Sequence, residues 1–174
     1  MTMTGIFTAP DAYADDFRVD ERLDLGQRCL RILVDRPVGA MLSSFAHSVR
    51  VAEPSYLTVQ LDADVHLEPV PAFLECINHS CAPNVAFDMA RLGLVALKPL
   101  VAGEELTYFY PSTEWTMTQP FTCACGAPDC LHHIDGASKL SADVLARFAL
   151  SPFVARALAA RETALAERAS ALSS

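Results

Sequence analysis

Asn78-His79-Ser80-Cys81-Ala82-Pro83-Asn84 is a short polar run, with a cysteine and a proline inside it, in the middle of an otherwise apolar chain. Asparagine and serine side chains bond to nearby backbone, and proline withholds a donor, so this is loop or turn chemistry. Strand candidates flank it. Upstream, residues 29–34 and 56–61 have strand composition, the second also alternating, with Pro37 and Gly39 as punctuation between them. Downstream lie residues 93–98 and, after the turn Val101-Ala102-Gly103, residues 105–110. The expected architecture is mainly β, of the α+β class, with the polar run as a loop held among short strands.

The bulk composition fits a folded domain. Hydrophobic residues make up 52% and charged residues 20% of 174, enough for a real core. The first twenty residues lack a basic flank followed by an apolar run, so no signal peptide is expected. No apolar stretch approaches the roughly 18 residues of a membrane span. The expectation is a protein without a membrane partner, in the cytoplasm or, if eukaryotic, also in the nucleus. A formal charge of −8 and a pI near 5.0 argue against wrapping nucleic acid directly, and are compatible with a basic peptide.

Cys123, Cys125 and Cys130 form a C-x-C-x4-C cluster, and Gly126 lets the loop turn back. Three clustered thiols in a reducing compartment point to a soft metal, zinc above all, rather than to disulfides. A structural zinc takes four ligands, so a fourth must come from elsewhere. Cys81 in the polar loop is the best candidate, with His132 and His133 as nearer competitors. Cys29 and Cys76 lie in apolar runs, where cysteine is usually a small buried hydrophobe.

Beyond the cluster the chain turns helical. Ser141 is a candidate N-cap with Asp143 in the first turn, and Pro152 allows a second, Ala-rich helix to start. Leu158, Leu165 and Leu172 recur every seven residues, a narrow seam. It is read as a helix packed on its own domain, with a homodimer through this helix as the alternative.

The run 78–84 resembles the N-H-S-C-x-P-N signature of SET-domain protein lysine methyltransferases at every specified position. Gly103-Glu104-Glu105-Leu106-Thr107-Tyr108-Phe109-Tyr110 is similar to that family's second signature, and the C-x-C-x4-C cluster to its zinc-binding post-SET segment. The three occur in the family's order, which makes the signal specific. The resemblance covers residues 17–136. It implies a SET-type β-fold in which the C-terminal part threads a loop as a pseudoknot. The implied organisation is a SET domain over 17–112, a post-SET zinc-binding segment over 113–136 and a C-terminal helical segment over 141–172.

The same resemblance implies the activity and the site. The expected function is S-adenosylmethionine-dependent transfer of a methyl group to a protein lysine, mostly once, with a lysine-containing protein or peptide as partner. Structural Zn²⁺ would be held by Cys81, Cys123, Cys125 and Cys130. Tyr110 would be the catalytic tyrosine, its phenol protonated and its oxygen at the transferring methyl. Tyr108 would influence how many methyls the amine receives. Gly26, Asn78, His79 and Tyr110 would contact the cofactor, and Leu131 would cover its adenine. Trp115 would line the lysine channel or, as the blander reading, pack against the zinc knot.

Lysine attacks only when neutral, and on the order of one in 10³ molecules is neutral at pH 7. A narrow apolar channel would lower its pKa. Alignment of nitrogen, methyl and sulfur would supply much of the rate.

The chain departs from the family pattern in four places. Leu25-Gly26-Gln27-Arg28 has one glycine where the family has G-x-G, with Arg28 at the second position. Glu75-Cys76-Ile77 replaces R-F-x, Phe109 replaces an aspartate, and the segment from Phe45 to Asn78, where the family shapes its substrate groove, is short. The altered glycine segment and Phe109 fit a non-catalytic SET-like zinc module that binds a protein partner. The short segment fits an enzyme using the same cofactor on a small molecule. Both are alternatives to the lysine reading.

Overall fold

The computed structural model describes residues 14–22 and 26–172. Its strands are short: β1 (Phe17–Arg22), β2 (Gln27–Ile32), β3 (Met41–Ser44), β4 (Val49–Val51), β5 (Val59–Asp62), β6 (Val65–Glu68), β7 (Asn78–His79), β8 (Val85–Asp88), β9 (Gly93–Ala96), β10 (Thr107–Tyr108), β11 (Phe121–Thr122) and β12 (His133–Ile134). They pair into small sheets. β1 and β2 form an antiparallel hairpin with Phe17 opposite Ile32. The two three-stranded sheets run β3-β9-β8 and β4-β6-β5, and β11 pairs with β12. Gly26 stands at φ +62° beside the β1–β2 connection, in the left-handed region where glycine alone avoids a Cβ penalty. Leu25 lies outside the described residues.

The largest core cluster explains why the hydrophobic runs became strands. Leu30, Ile32, Leu42, Phe45, Val85, Leu94 and Leu106 are all almost fully buried in it. β9 buries nearly continuous apolar sequence because it is enclosed on both faces, whereas β2 buries Cys29, Leu30 and Ile32 and leaves Gln27 and Arg28 exposed.

The segment from 103 to 110 crosses the molecule between two unrelated stretches. On one side Gly103 N–H donates to Ile32 O, Ile32 N–H to Glu104 O, and Leu106 N–H to Leu30 O. On the other side β10 pairs in parallel with β7, Thr107 opposite Asn78 and Tyr108 opposite His79. This is the threading that the SET-type fold requires. The parallel pair brings residues 29 positions apart in sequence into register.

After β12 come α1 (Ala142–Leu145) and α2 (Pro152–Leu172). The Ser141 side chain accepts from Val144 N–H, as an N-cap should. A second core cluster of Phe109, Ala137, Leu145 and Val154 seats these helices on the β-domain, and the Phe109 ring stacks on Phe148 with centroids 3.6 Å apart. The aromatic substitution at position 109 is thus a packing anchor for the C-terminal segment. Trp115 belongs to this cluster and lies under the Arg161 guanidinium, so it packs beside the helices rather than against the cysteines. Of the heptad leucines, Leu158 packs on the cluster, whereas Leu165 and Leu172 are exposed. Among the described residues, no helix is long and apolar enough to cross a membrane.

Candidate active site and metal centre

The Sγ atoms of Cys81, Cys123, Cys125 and Cys130 lie within 4.8 Å of one another. A tetrahedron with zinc–sulfur bonds of about 2.3 Å has edges of about 3.8 Å, so these four thiols surround the space one zinc ion needs. His132 and His133 are exposed and are not in the group. Local backbone explains the convergence. Gly126 at φ +75° and His132 at φ +60° reverse the chain, and Cys123 N–H is fixed to His132 O at 2.8 Å.

The electrostatics of the donor set fit a cation. Burial pushes the Cys81 thiol up to about 11 and raises Cys123 as well. Burial also opposes the Cys125 thiolate, but the N–H groups of Cys81 and Ala127 and the neighbouring thiols bring it down to about 6. Several thiolates this close repel one another unless a metal neutralises them.

The second feature is an open cavity of about 810 Å³, within the range that buries a ligand of cofactor size. Gly26, Asn78, His79, Tyr108 and Tyr110 all line it. Leu131 does not. It packs between the cysteine cluster and the Phe109 cluster, and its N–H points to Cys81 Sγ at 3.4 Å. Arg28 also lines the cavity, with an exposed side chain on ordinary strand backbone, while its carbonyl accepts from Asn78 Nδ2 at 2.9 Å.

His79 joins the two features. Its Nδ1 accepts from Tyr110 N–H at 3.2 Å, so the ring proton sits on Nε2, which faces Cys81 Sγ at 3.4 Å. Burial holds this imidazole down to about 4, which makes it neutral near physiological pH. The Tyr108 and Tyr110 rings lie side by side, centroids 4.6 Å apart, and Tyr110 OH donates to Ile77 O at 3.1 Å. Burial raises both phenols above their ordinary range, keeping them protonated.

The cavity also contains a group that the sequence motifs did not mark. Glu114 Oε1 accepts from Gln60 N–H at 2.8 Å and from the Thr113 hydroxyl at 3.1 Å. Burial pushes its carboxyl up to about 7. The available signal was its isolation, as the one charged residue between Glu105 and Asp129.

Comparison with known proteins defines the class first. Residues 11–111 match the SET domain model, more than half of the chain, and the chain belongs to the SET-domain family of methyltransferases. It is 39% identical over 138 residues to the methyltransferase flvH of Aspergillus flavus, covering 78% of this chain and 77% of that one. An H3 lysine-36-specific histone-lysine N-methyltransferase of Candida albicans is 34% identical over 40% of this chain, which is 9% of that much longer protein. Among solved structures, KRYPTONITE in complex with mCHH DNA, an H3(1–15) peptide and SAH shares the fold. The TM-score is 0.52 at 23% identity, over 67% of this chain and 29% of that one.

Two outcomes follow from this geometry. Purified protein is expected to carry about one zinc per chain by elemental analysis, and Cys81→Ser to lose it together with thermal stability. Full zinc occupancy in the mutant would exclude Cys81 as a ligand. Glu114 has a folded pKa near 7 against an ordinary value of 4.5, so the folded state binds the extra proton between these values. Its contribution to stability is present below about pH 4.5 and is lost as pH rises through 7. At about 1.4 kcal/mol per unit the loss is at most about 3.5 kcal/mol. Glu114→Gln, neutral at every pH, is therefore expected to melt above wild type at pH 8 and like it at pH 5. Parallel melting curves at both values would contradict this.

Proposed function

We propose that the chain transfers one methyl group from S-adenosylmethionine to the side-chain amine of a lysine in a protein or peptide. The observation that carries this reading is the Tyr108–Tyr110 pair on the wall of a cavity shared with Gly26, Asn78 and His79. The histone-lysine methyltransferases among its relatives support the choice of lysine. Bound S-adenosylmethionine supplies an electrophilic methyl on its sulfonium.

The protein's own residues do the rest. Leu74, Ile77, Val59 and Phe87 give the cavity an apolar wall, which suits the methylene stem of an entering amine. Tyr110, held to Ile77 O and fixed at its backbone by His79, keeps a protonated phenol at that wall as an oxygen contact for the transferring group. Tyr108 packs edge-on against Phe87 at 4.8 Å, which fixes its ring and limits the room beside the amine. Asn78 and His79 form the cofactor side through backbone and remaining side-chain atoms, since Asn78 Nδ2 already serves Arg28 O and Glu105 Oε1. Zinc at the four cysteines is structural, because a tetrathiolate leaves no open position.

A second reading, a small primary amine as acceptor, is favoured by the compact β4–β6 sheet, which fills the stretch from Phe45 to Asn78 without a long insertion. A methylation screen with labelled S-adenosylmethionine, comparing lysine peptides with free amines, separates the two. Thermal shift with S-adenosylhomocysteine separates both from a non-catalytic module.

Tyr110→Phe is expected to reduce transfer by about 10²-fold or more while leaving S-adenosylhomocysteine affinity within about threefold. Transfer at the wild-type rate would remove Tyr110 from the mechanism. Tyr108→Phe is expected to act on product distribution more than on rate: the hydroxyl would hold a water where a further methyl must sit, and displacing such a water involves only about 0–2 kcal/mol. Mass spectrometry should show mainly monomethyl product from wild type and a clear rise in di- or trimethyl product from the mutant. Equal ratios would make Tyr108 a core aromatic and nothing more.

A further inference from the structure

Glu114 has no part in the mechanism above, yet it lines the same cavity as Tyr108 and Tyr110. Its position is well determined. Glu114 N–H donates to Tyr110 O at 3.0 Å, and Oε1 is held by Gln60 N–H and the Thr113 hydroxyl. Trp115 N–H in turn donates to Gln60 Oε1 at 2.9 Å, closing a rigid frame around the carboxyl. Among the described residues, no hydrogen bond holds Oε2 and no ion pair reaches the group. A half-buried carboxylate without a counter-ion is destabilising, and so perturbed a group in a cleft marks a candidate ligand site.

We propose that Glu114 is the docking group for the substrate's cation, its free oxygen receiving the ammonium of a primary aliphatic amine at the end of the cavity beside Tyr108. This rests on the amine reading above and names the recognition element for it. A rigid carboxylate with one oxygen fixed and one open favours a compact ammonium, which forms point-like charge-assisted bonds, over a guanidinium, which prefers both oxygens.

The pH behaviour follows from what surrounds the group. The titratable groups around it are the Tyr108 and Tyr110 phenols, which stay protonated, His79 behind Tyr110, which burial keeps neutral, and His66 across from Gln60, whose pKa burial lowers. Gln60, Thr113 and Trp115 are neutral. Of the groups in contact with this carboxyl, Glu114 itself is the one that changes charge near neutral pH, ionised above about pH 7 and neutral below. Affinity for a cation should fall as pH drops through that value.

The test uses the full chain saturated with S-adenosylhomocysteine, with n-butylamine as a copy of the lysine side chain and n-pentanol as its uncharged counterpart. Affinities are read by NMR titration at pH 8 and pH 6. Wild type should bind butylamine more tightly at pH 8 than at pH 6 and bind pentanol equally at both. Glu114→Gln should weaken butylamine about tenfold or more at pH 8, the effect of losing one charge-assisted bond, and leave pentanol unchanged. S-adenosylhomocysteine binding by the mutant verifies that it is folded, and the wild-type pH comparison stands without the mutant. Equal butylamine affinity in both proteins, or in wild type at both pH values, overturns the role of Glu114 and leaves the lysine reading intact. Failure of butylamine to bind any form at either pH overturns both.

Discussion

Asn84 is the residue on which the crossing depends. It is buried, and its side chain satisfies both ends of its amide on the threaded segment. Oδ1 accepts from Thr107 N–H at 2.7 Å, while Nδ2 donates to Glu105 O at 2.7 Å and to Glu104 Oε1 at 3.0 Å. Its own backbone adds a bond from Asn84 N–H to Thr107 O and another from Leu97 N–H to Asn84 O. Leaving one such buried group unsatisfied costs about 1–3 kcal/mol, and here several would be stranded together. A hydrophobic residue of similar volume would fill the space but would not specify where residues 104–107 lie. The polar loop thus acts as a register device. It sets β10 against β7, and that register places Tyr108 and Tyr110 beside His79.

From that register a second coupling follows. One face of His79 touches Tyr110 and the other faces Cys81, so metal centre and cavity share one imidazole. Burial keeps the ring neutral, which fixes its tautomer and leaves the Nε2 proton available to a sulfur. Leu131 N–H approaches the same Cys81 Sγ, which adds a donor to a sulfur carrying negative charge when metal is bound. The cysteine loop is therefore tied to the cavity twice, through Cys81 beside His79 and through Cys123 and Cys125, which line the wall themselves. Its local sequence alone, three thiols and a glycine, does not provide that connection.

Much of this was legible in the sequence, for physical reasons. Residues 78–84 and 103–110 interact mainly through backbone and through short polar side chains with few alternatives, so their identities are constrained and form a readable motif. The cysteines are legible because tetrahedral zinc needs four donors. The strand candidates were sound in kind but misplaced at their ends, 29–34 forming β2 two residues earlier and 56–61 contributing only its second half to β5. Residues 105–110 pair as strand only at Thr107–Tyr108, because Phe109 turns away into the helical cluster and Tyr110 opens a 3-10 turn. The partner of Phe109 could not be seen, since stacking on Phe148 joins positions that no local pattern relates. Trp115 was misplaced for the same reason, and Leu131 packs between the two smaller clusters, a tertiary outcome of the cysteine loop. Glu114 carries no motif at all. Only the fold shows that β5 places Gln60 over it.

Three glutamates close together in sequence show how differently one side chain can be treated. Burial works against the Glu104 carboxylate, but Asn84, Val101 N–H and Lys98 outweigh it and hold its pKa below the ordinary value. Glu105 accepts from Asn78 Nδ2 and has Arg22 and Arg31 each at 3.9 Å. Both sit on the threaded segment, and both have cations. Glu114 follows within ten residues of Glu105, lies half-buried in the cavity wall and, among the described residues, has hydrogen-bond donors but no cation. The fold supplies arginine and lysine to carboxylates whose task is to hold the crossing in place. At Glu114 it supplies only the N–H and hydroxyl groups that aim the carboxyl, and accepts an alkaline loss of stability. Core packing would be better served there by a neutral residue, so the glutamate is the one carboxylate of the three that packing and the crossing do not account for.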